Sequence, residues 1–323
     1  MTDFEFLMLG AMYENGGNTT HRILDGHPEL YVYPFESQVG TRLVNDPMAS
    51  LFPVKYRWPT FALHASPEED YRAIIDEEGK VRARTPQVSK FRHHPFDLDD
   101  EERMAAYTRR VAARGRSRGS NIAAFFEATF ETWKGHAAAG REHVYVGYSP
   151  VITVDADKIL DDLPGAHFLH VVRNPWSAYA DTKKRAVPLS LSQYVLAWVI
   201  NQHHALLFRE LYPGRMHIVR LEDVLESPAA ALRSVLDGLG VDVNAPSLGA
   251  PSWNGQPLTE VYPWGTIRTA TPEANRLTAA ELSAEEHEQI RVRAGAWLGQ
   301  LGYSDFLASG SVAALPMAGA GVA

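Results

Sequence analysis

The stretch from Phe4 to Ser37 constrains the chain more than any other. It opens with an apolar run, Phe4 to Leu9, whose length suits a strand buried on both faces. A loop rich in glycine and asparagine follows, Ala11 to Asn18, holding Gly16 and Gly17. Thr19 and Thr20 start a helical pattern with Ile23 and Leu24 facing inward, and Gly26, His27 and Pro28 stop it. A second apolar segment runs from Leu30 to Tyr33. Free backbone N–H groups at the start of such a helix point out of the turn, and the helix dipole favours negative charge there. Strand, loop, helix and strand therefore make an anion-binding arrangement. No Gly-Lys-Ser/Thr is present, so the loop is not a Walker A loop. Glycine loops before helices occur in many α/β proteins, and the geometry alone leaves the ligand open.

Composition narrows the function mostly by exclusion. With 323 residues, 45% of them hydrophobic, the chain can bury the core of one large domain or two small ones. A net charge of −8 argues against general nucleic-acid binding, which needs a basic surface. The absence of cysteine excludes disulfides, thiolate nucleophiles and cysteine metal sites. No apolar run approaches a membrane span, and the first residues lack the basic start and long apolar core of a signal peptide. The expectation is a cytoplasmic protein that uses no metal and meets neither membrane nor nucleic acid. Oligomeric state is not legible.

Along the chain, a helix is expected from Ser37 to about Asn45, before Pro47. From Leu51 to His94 the periodicity is weak, broken by Pro53, Pro59, Pro67 and Pro86, with a short helix over Pro67 to Glu78. The run Asp97 to Glu102 reads as a helix N-terminus, where carboxylates suit the dipole. Helices follow over Glu101 to Ala113 and Asn121 to Ala138. The second carries an apolar stripe of Ile122, Phe125, Phe126, Phe130 and Trp133. Arg109 and Arg110, near the end of the first helix, with Arg114, Arg116 and Arg118 after it, form the densest basic cluster, either a solvated connection or an attractor for an anionic ligand. The second half reads as a strand at His143 to Gly147, a helix at Asp155 to Leu163, and a strand at His167 to Arg173. A helix then opens at Asn174-Pro175. Arg173 thus falls at the carboxyl end of a buried strand, the edge where open α/β sheets bind ligands. A long helix, Leu189 to Tyr212, and a strand, His217 to Val224, follow. The sheet is expected to be mostly parallel, with Phe4 to Leu9 and His167 to Val172 as central neighbours. A single domain over residues 1–307 is expected, with a largely helical insertion at about 51–140 and an Ala/Gly-rich tail at 308–323.

Several of these segments together resemble the PAPS-dependent sulfotransferases, whose donor is 3′-phosphoadenosine 5′-phosphosulfate. In that family a first strand runs into a phosphosulfate loop ending in Gly-Thr-Thr, followed by a helix, a His-Pro and a second strand ending near a glutamate. Thr19-Thr20, the helix from Arg22 to Leu30 with His27-Pro28, and Pro34-Phe35-Glu36-Ser37 match this pattern. Arg173-Asn174-Pro175 matches the second signature, whose arginine holds the donor's 3′-phosphate together with a serine eight residues on. His217 to Val224 and the helix after it, the segment Tyr262 to Asn275, and Leu282 to Tyr303 resemble later elements. The resemblance covers Phe4 to Glu36 and His143 to Tyr303. It implies a P-loop-like α/β fold, PAPS as co-substrate with PAP as product, and a small-molecule acceptor. Donor contacts would come from Gly16, Gly17, Asn18, Thr19, Thr20, Arg173, Ser177, Asp181 and Arg268.

The departures concern charge. The loop Met12 to Asn18 is longer than the family's and lacks its basic residue, and Glu14 adds a carboxylate. Gly147-Tyr148-Ser149-Pro150 stands where the family often has a lysine-bearing run. Asp181 stands at the place of the serine, with Ser177 one turn away as a substitute. Sulfuryl transfer builds negative charge on the bridging oxygen, and losing one donor to such an oxygen costs about 3 kcal/mol of transition-state stabilisation. Arg22, Lys183, Lys184 or Arg268 would have to replace the missing cations. Otherwise the fold serves a different donor or binds without catalysis. Glu36 is the candidate general base, with His93 and His94 as alternatives of which at most one faces the site. Its competing reading is a helix N-terminal carboxylate. His203 and His204, about 100° apart on a helix, are structural.

Overall fold

The computed structural model describes residues 4–89, 91–258 and 271–307. Five parallel strands form its sheet: β1 Glu5–Ala11, β2 Leu30–Val32, β3 Val144–Pro150, β4 Ala166–Val172 and β5 Met216–Arg220, in the order β2-β3-β1-β4-β5. The central strand is apolar throughout because both faces are covered. Phe6 and Met8 enter one hydrophobic core, while Leu7, Leu9 and Ala11 enter the other, all with no exposed surface. As expected, β1 and β4 are neighbours, with Leu9 opposite Leu169 and Ala11 opposite Val171.

Helix α1, Gly17–Leu24, links β1 to β2. Four helices lie between β2 and β3: α2 Pro67–Ala73, α3 Glu77–Arg84, α4 Asp100–Arg114 and α5 Arg118–Thr132. Phe125, Phe126 and Phe130 of α5 pack on the Phe6–Met8 face. Then come α6 Ala156–Asp162, α7 Pro175–Thr182, α8 Leu191–Leu211, α9 Leu221–Glu226 and α10 Pro228–Gly238. A two-stranded ribbon, β6 Ser252–Trp253 with β7 Gln256–Pro257, precedes α11 Pro272–Ala279 and α12 Ala284–Gln300. Among the described residues no helix is long and apolar enough to cross a membrane. The tail at 308–323 lies outside the described residues, as do 259–270.

Some expected elements are corrected. Residues 37–45 form no helix, because their backbone groups bond to distant segments. Ser37 N–H donates to Tyr148 O (2.5 Å) and Gly40 N–H to Lys55 O (3.2 Å). Gly40 O and Gln38 O in turn accept from Ile75 (3.0 Å) and Asp76 (2.9 Å). Gly40 permits this passage: a Cβ there would lie 1.8 Å from Val54 O. The helix expected over Pro67 to Glu78 is two helices, broken where Asp76 takes φ 34° and sends its carboxylate to the buried Arg103 (2.8 Å). Helix α5 stops at Thr132 because Trp133 turns extended, and β5 ends at Arg220, where α9 begins. Asp99 caps α4 through the amides of Glu101 and Glu102 (2.8 and 3.1 Å), as the acidic run implied.

The arginine cluster stands on a largely exposed connection, as the solvated reading had it, but its guanidiniums are not free. Arg109 and Arg110 pair with Glu131, Arg110 and Arg114 with Glu127, Arg116 with Asp70 and Arg118 with Asp162. All five guanidiniums bond to carboxylates of α2, α5 and α6, and so clasp the helices of the insertion to one another and, through Arg118 and Asp162, to α6 beyond it.

Candidate active site

The sheet order turns at β1, where the chain leaves toward β2 and β3 and later returns to β4. At that switch point the loops after β1 and β4 must meet. They do so through Asn15, which is fully buried. Its Oδ1 accepts the Arg173 N–H (3.0 Å), and its Nδ2 donates to Tyr13 O (2.8 Å) and Tyr194 Oη (3.1 Å).

The glycines of the loop have separate tasks. Gly16 takes φ 84°, and a Cβ on it would lie 2.3 Å from Leu221 Cδ1. Gly17 lies so close to the Tyr148 ring that a Cβ would come within 2.3 Å. Helix α1 starts at Gly17, two residues earlier than the sequence suggested. Its first i→i−4 bond runs from Thr20 N–H to Gly16 O (2.9 Å). The amides of Gly17, Asn18 and Thr19 precede that bond and have no partner within the helix, which is the geometry of an anion cradle.

Glu36 lies just past β2, half-buried, and accepts the Tyr56 hydroxyl (2.9 Å). Its charge reaches the loop. Burial, with a smaller push from Glu36 and against the pull of Arg185, raises the Tyr13 phenol to about 12. Burial also raises the Glu14 carboxyl, opposed by Arg185 and helped by Asp181 and Glu36. A small cleft joins Glu36 to Asn18, Arg22, Pro34, Phe91 and Trp253. Glu36 therefore shares an edge with the amide cradle.

Arg173 is nearly buried and heavily bonded. Its Nε donates to Asn275 Oδ1 (2.6 Å), and its Nη1 donates to Glu14 O (3.0 Å) and Asp181 Oδ2 (2.8 Å). Behind it lies a buried carboxylate that sequence reasoning missed. Glu222 Oε1 accepts from the Asn174 N–H (3.2 Å), Asn174 Nδ2 (2.8 Å) and Asn275 Nδ2 (2.8 Å), and its Oε2 accepts from the Tyr303 hydroxyl (2.7 Å). Asn15 and Asn275 were missed too, since a lone asparagine in a loop gives no periodic or spacing signal. Glu222 falls within His217 to Val224, a segment that resembles a later element of the family.

The other candidates divide. Ser177 is sealed in the α7 cap, its hydroxyl donating to Asn275 O (2.6 Å) and its N–H to Asn174 Oδ1 (2.9 Å). Arg22 lines the cleft but is fully buried, bonded to Asp25 (3.2 Å) and Tyr33 O (3.0 Å), with its guanidinium 5.2 Å from the Trp253 ring centre. Of the two histidines, His93 is exposed, while the His94 ring lies 4.8 Å from that of Trp253. Burial first, then Arg22, lowers the His94 pKa and favours its neutral form. Lys183 pairs with Glu286 (2.7 Å), and Lys184 with Asp181 (3.2 Å) and Glu281 (2.8 Å). Arg268 lies outside the described residues. No group of three or more His, Asp or Glu among the described residues is arranged to hold a metal.

The model of a sulfotransferase family matches residues 16–245, well over half of the chain. The chain belongs to the sulfotransferase family. Among solved structures it is similar to the sulfotransferase domain of the Synechococcus PCC 7002 olefin synthase, at 17% identity and TM-score 0.51, covering 90% of this chain and 94% of that one. It is also similar to the sulfotransferase domain of the curacin biosynthetic pathway (14% identity, TM-score 0.47, 90% and 98% covered). A third similar structure is the Mycobacterium avium sulfotransferase STF9 (14% identity, TM-score 0.44, 93% and 77% covered). At these identities the likeness concerns the fold. No curated protein matches the chain. As a sulfotransferase it is a transferase with an unusual loop: Met12 to Asn18 holds no basic residue and includes Glu14.

Proposed function

We propose that this protein moves a sulfuryl group from a nucleotide 5′-phosphosulfate, in the family PAPS, to a hydroxyl or amine of a small metabolite by in-line displacement. The observation that carries this reading is the meeting of three groups at one sheet edge: the Gly17–Thr19 amides, Arg173 and the Glu36 carboxylate. The amides and the helix dipole stabilise the phosphosulfate charge. Glu36, held by Tyr56, takes the acceptor's proton as its oxygen or nitrogen attacks sulfur. The cleft between Glu36 and Trp253 is where the acceptor enters. Among the cations the sequence offered as replacements, Arg22 borders this cleft, buried and bonded to Asp25 and the Tyr33 carbonyl.

A second reading, a sulfotransferase fold that does not use PAPS, is favoured by one observation. The guanidinium expected to hold the 3′-phosphate is already paired with Asp181. The first test is calorimetric titration of the full chain with adenosine 5′-monophosphate and with PAP, followed by a search for enzyme-dependent release of nucleotide from the phosphosulfate. One-site binding of either nucleotide supports the donor site. No binding of either at millimolar concentration refutes it and leaves the non-nucleotide reading.

A further inference from the structure

Asp181 is paired with Arg173, the guanidinium that the family resemblance assigns to the donor's 3′-phosphate. One carboxylate oxygen lies 2.8 Å from Arg173 Nη1 and the other 3.2 Å from Lys184 Nζ. The position is built. Asp181 sits on α7, whose start is fixed by the Asn174 cap on Ser177 and by the bonds from Asn174 to Glu222. Side-chain exposures of 11% for Arg173 and 18% for Asp181 keep the pair partly shielded from solvent, so it holds more firmly than a surface pair. The remaining bonds of Arg173 noted above go to Glu14 O and Asn275 Oδ1.

The cations around the pair are already matched by carboxylates, Arg185 by Glu14 (3.9 Å) and Lys184 by Asp181 and Glu281, so among the described residues no unmatched positive charge is left there for a second phosphate. Burial first, and then the nearby Asp181 against the pull of Arg185, raises the Glu14 carboxyl, and Glu281 holds the far side of Lys184. A dianion brought to Arg173 would have to displace the Asp181 carboxylate or lie against it. A hydroxyl would do neither, because a carboxylate accepts its proton while the guanidinium donates to its oxygen. The same chemistry separates the two nicotinamide cofactors, where an acidic residue takes a ribose hydroxyl and an arginine takes its phosphate.

We propose that Asp181 is a specificity residue that makes the donor site select a nucleoside 5′-phosphosulfate with a free ribose hydroxyl and reject one bearing a 3′-phosphate. The inference rests on the proposed sulfuryl transfer and concerns only which donor supplies the group. In the transfer, the bond from the acceptor oxygen to sulfur forms and the bond from sulfur to the 5′-phosphate oxygen breaks. The nucleotide leaves as its 5′-monophosphate, and the acceptor proton goes to Glu36.

The test is calorimetry of wild type, Asp181→Ser and Asp181→Asn with adenosine 5′-monophosphate and with adenosine 3′,5′-bisphosphate, at one ionic strength. A like charge held at this distance corresponds to a discrimination of at least about tenfold, so wild type binds the monophosphate tighter by that factor. Both variants lose or invert the preference. Tighter binding of the bisphosphate by wild type overturns the inference and leaves the nucleotide site standing. A preference unchanged in Asp181→Asn, whose shape matches the native residue, removes Asp181 from the role even if Asp181→Ser misfolds. Binding of neither nucleotide to any of the three overturns the donor site itself.

Discussion

Glu222→Gln tests how firmly the loops of the site are held. The native carboxylate is nearly buried and takes four hydrogen bonds, three of them on Oε1 from Asn174 and Asn275. Bonds to a charged acceptor contribute about 1.5–3 kcal/mol each and neutral ones about 0.5–1.5. The amide keeps the shape. Its oxygen must stay toward the two asparagines, because a reversed amide would set N–H against N–H. Its NH2 then faces Tyr303, whose hydroxyl turns its proton to Val172 O at 3.3 Å. Three weakened bonds at about 1 kcal/mol apiece give a destabilisation of about 3 kcal/mol. Tyr303→Phe, which removes one bond and leaves one charged oxygen short of a donor, should cost about 1–2 kcal/mol.

Urea unfolding followed by tryptophan fluorescence measures both, with Trp198 as a native reporter: its indole N–H donates to Arg173 O (3.3 Å). A second readout separates this role from general packing. Asn275 bonds to both Glu222 and Arg173, so Glu222→Gln should also weaken nucleotide binding, whereas a core truncation of equal cost far from the site should not. Glu222→Gln within about 0.5 kcal/mol of wild type, with unchanged nucleotide affinity, would refute the argument.

Glu36→Gln keeps the size and removes the basicity, so turnover should fall by roughly 10²–10⁴-fold with acceptor binding little changed. Near-native turnover would move the role to His94. Gly16→Ala places a Cβ at φ 84° and against Leu221, and should cost about 1–3 kcal/mol together with most of the nucleotide affinity. Full retention of both in denaturation and calorimetry would exclude the strained loop. Burial holds His170 and His217 at about 4, below the ordinary 6.5, so the fold prefers them neutral. Their contribution is complete above pH 6.5 and is lost as pH falls toward 4, at up to about 1.4 kcal/mol per pH unit for each. Urea midpoints taken between pH 7 and 4 should therefore decline before the carboxylates protonate, and His170→Gln should flatten the slope. A midpoint constant over that window would contradict the buried neutral histidines.

The parts of the molecule that could be read from the sequence are those whose partners are implied by local pattern. A continuous apolar run demanded cover on both faces, and β1 and β4 have it. Asn174-Pro175 announced a helix start, and Asn174 caps α7. The 37–45 segment misled because its backbone partners, Tyr148, Lys55, Ile75 and Asp76, are set by how separate loops come together. The pairing of the arginine cluster was hidden in the same way. Its charges were plain, but the carboxylates that match them stand 13 to 46 residues away. Asp181 shows the boundary most clearly. Its departure from the family pattern was visible, and so was its sign. Only the fold supplied the consequence, by placing the carboxylate on the guanidinium it would otherwise have been expected to obstruct from a distance. A carboxylate near a phosphate site weakens that site, but one bonded to the site's arginine replaces the phosphate. That difference is what the nucleotide preference of Asp181→Asn measures.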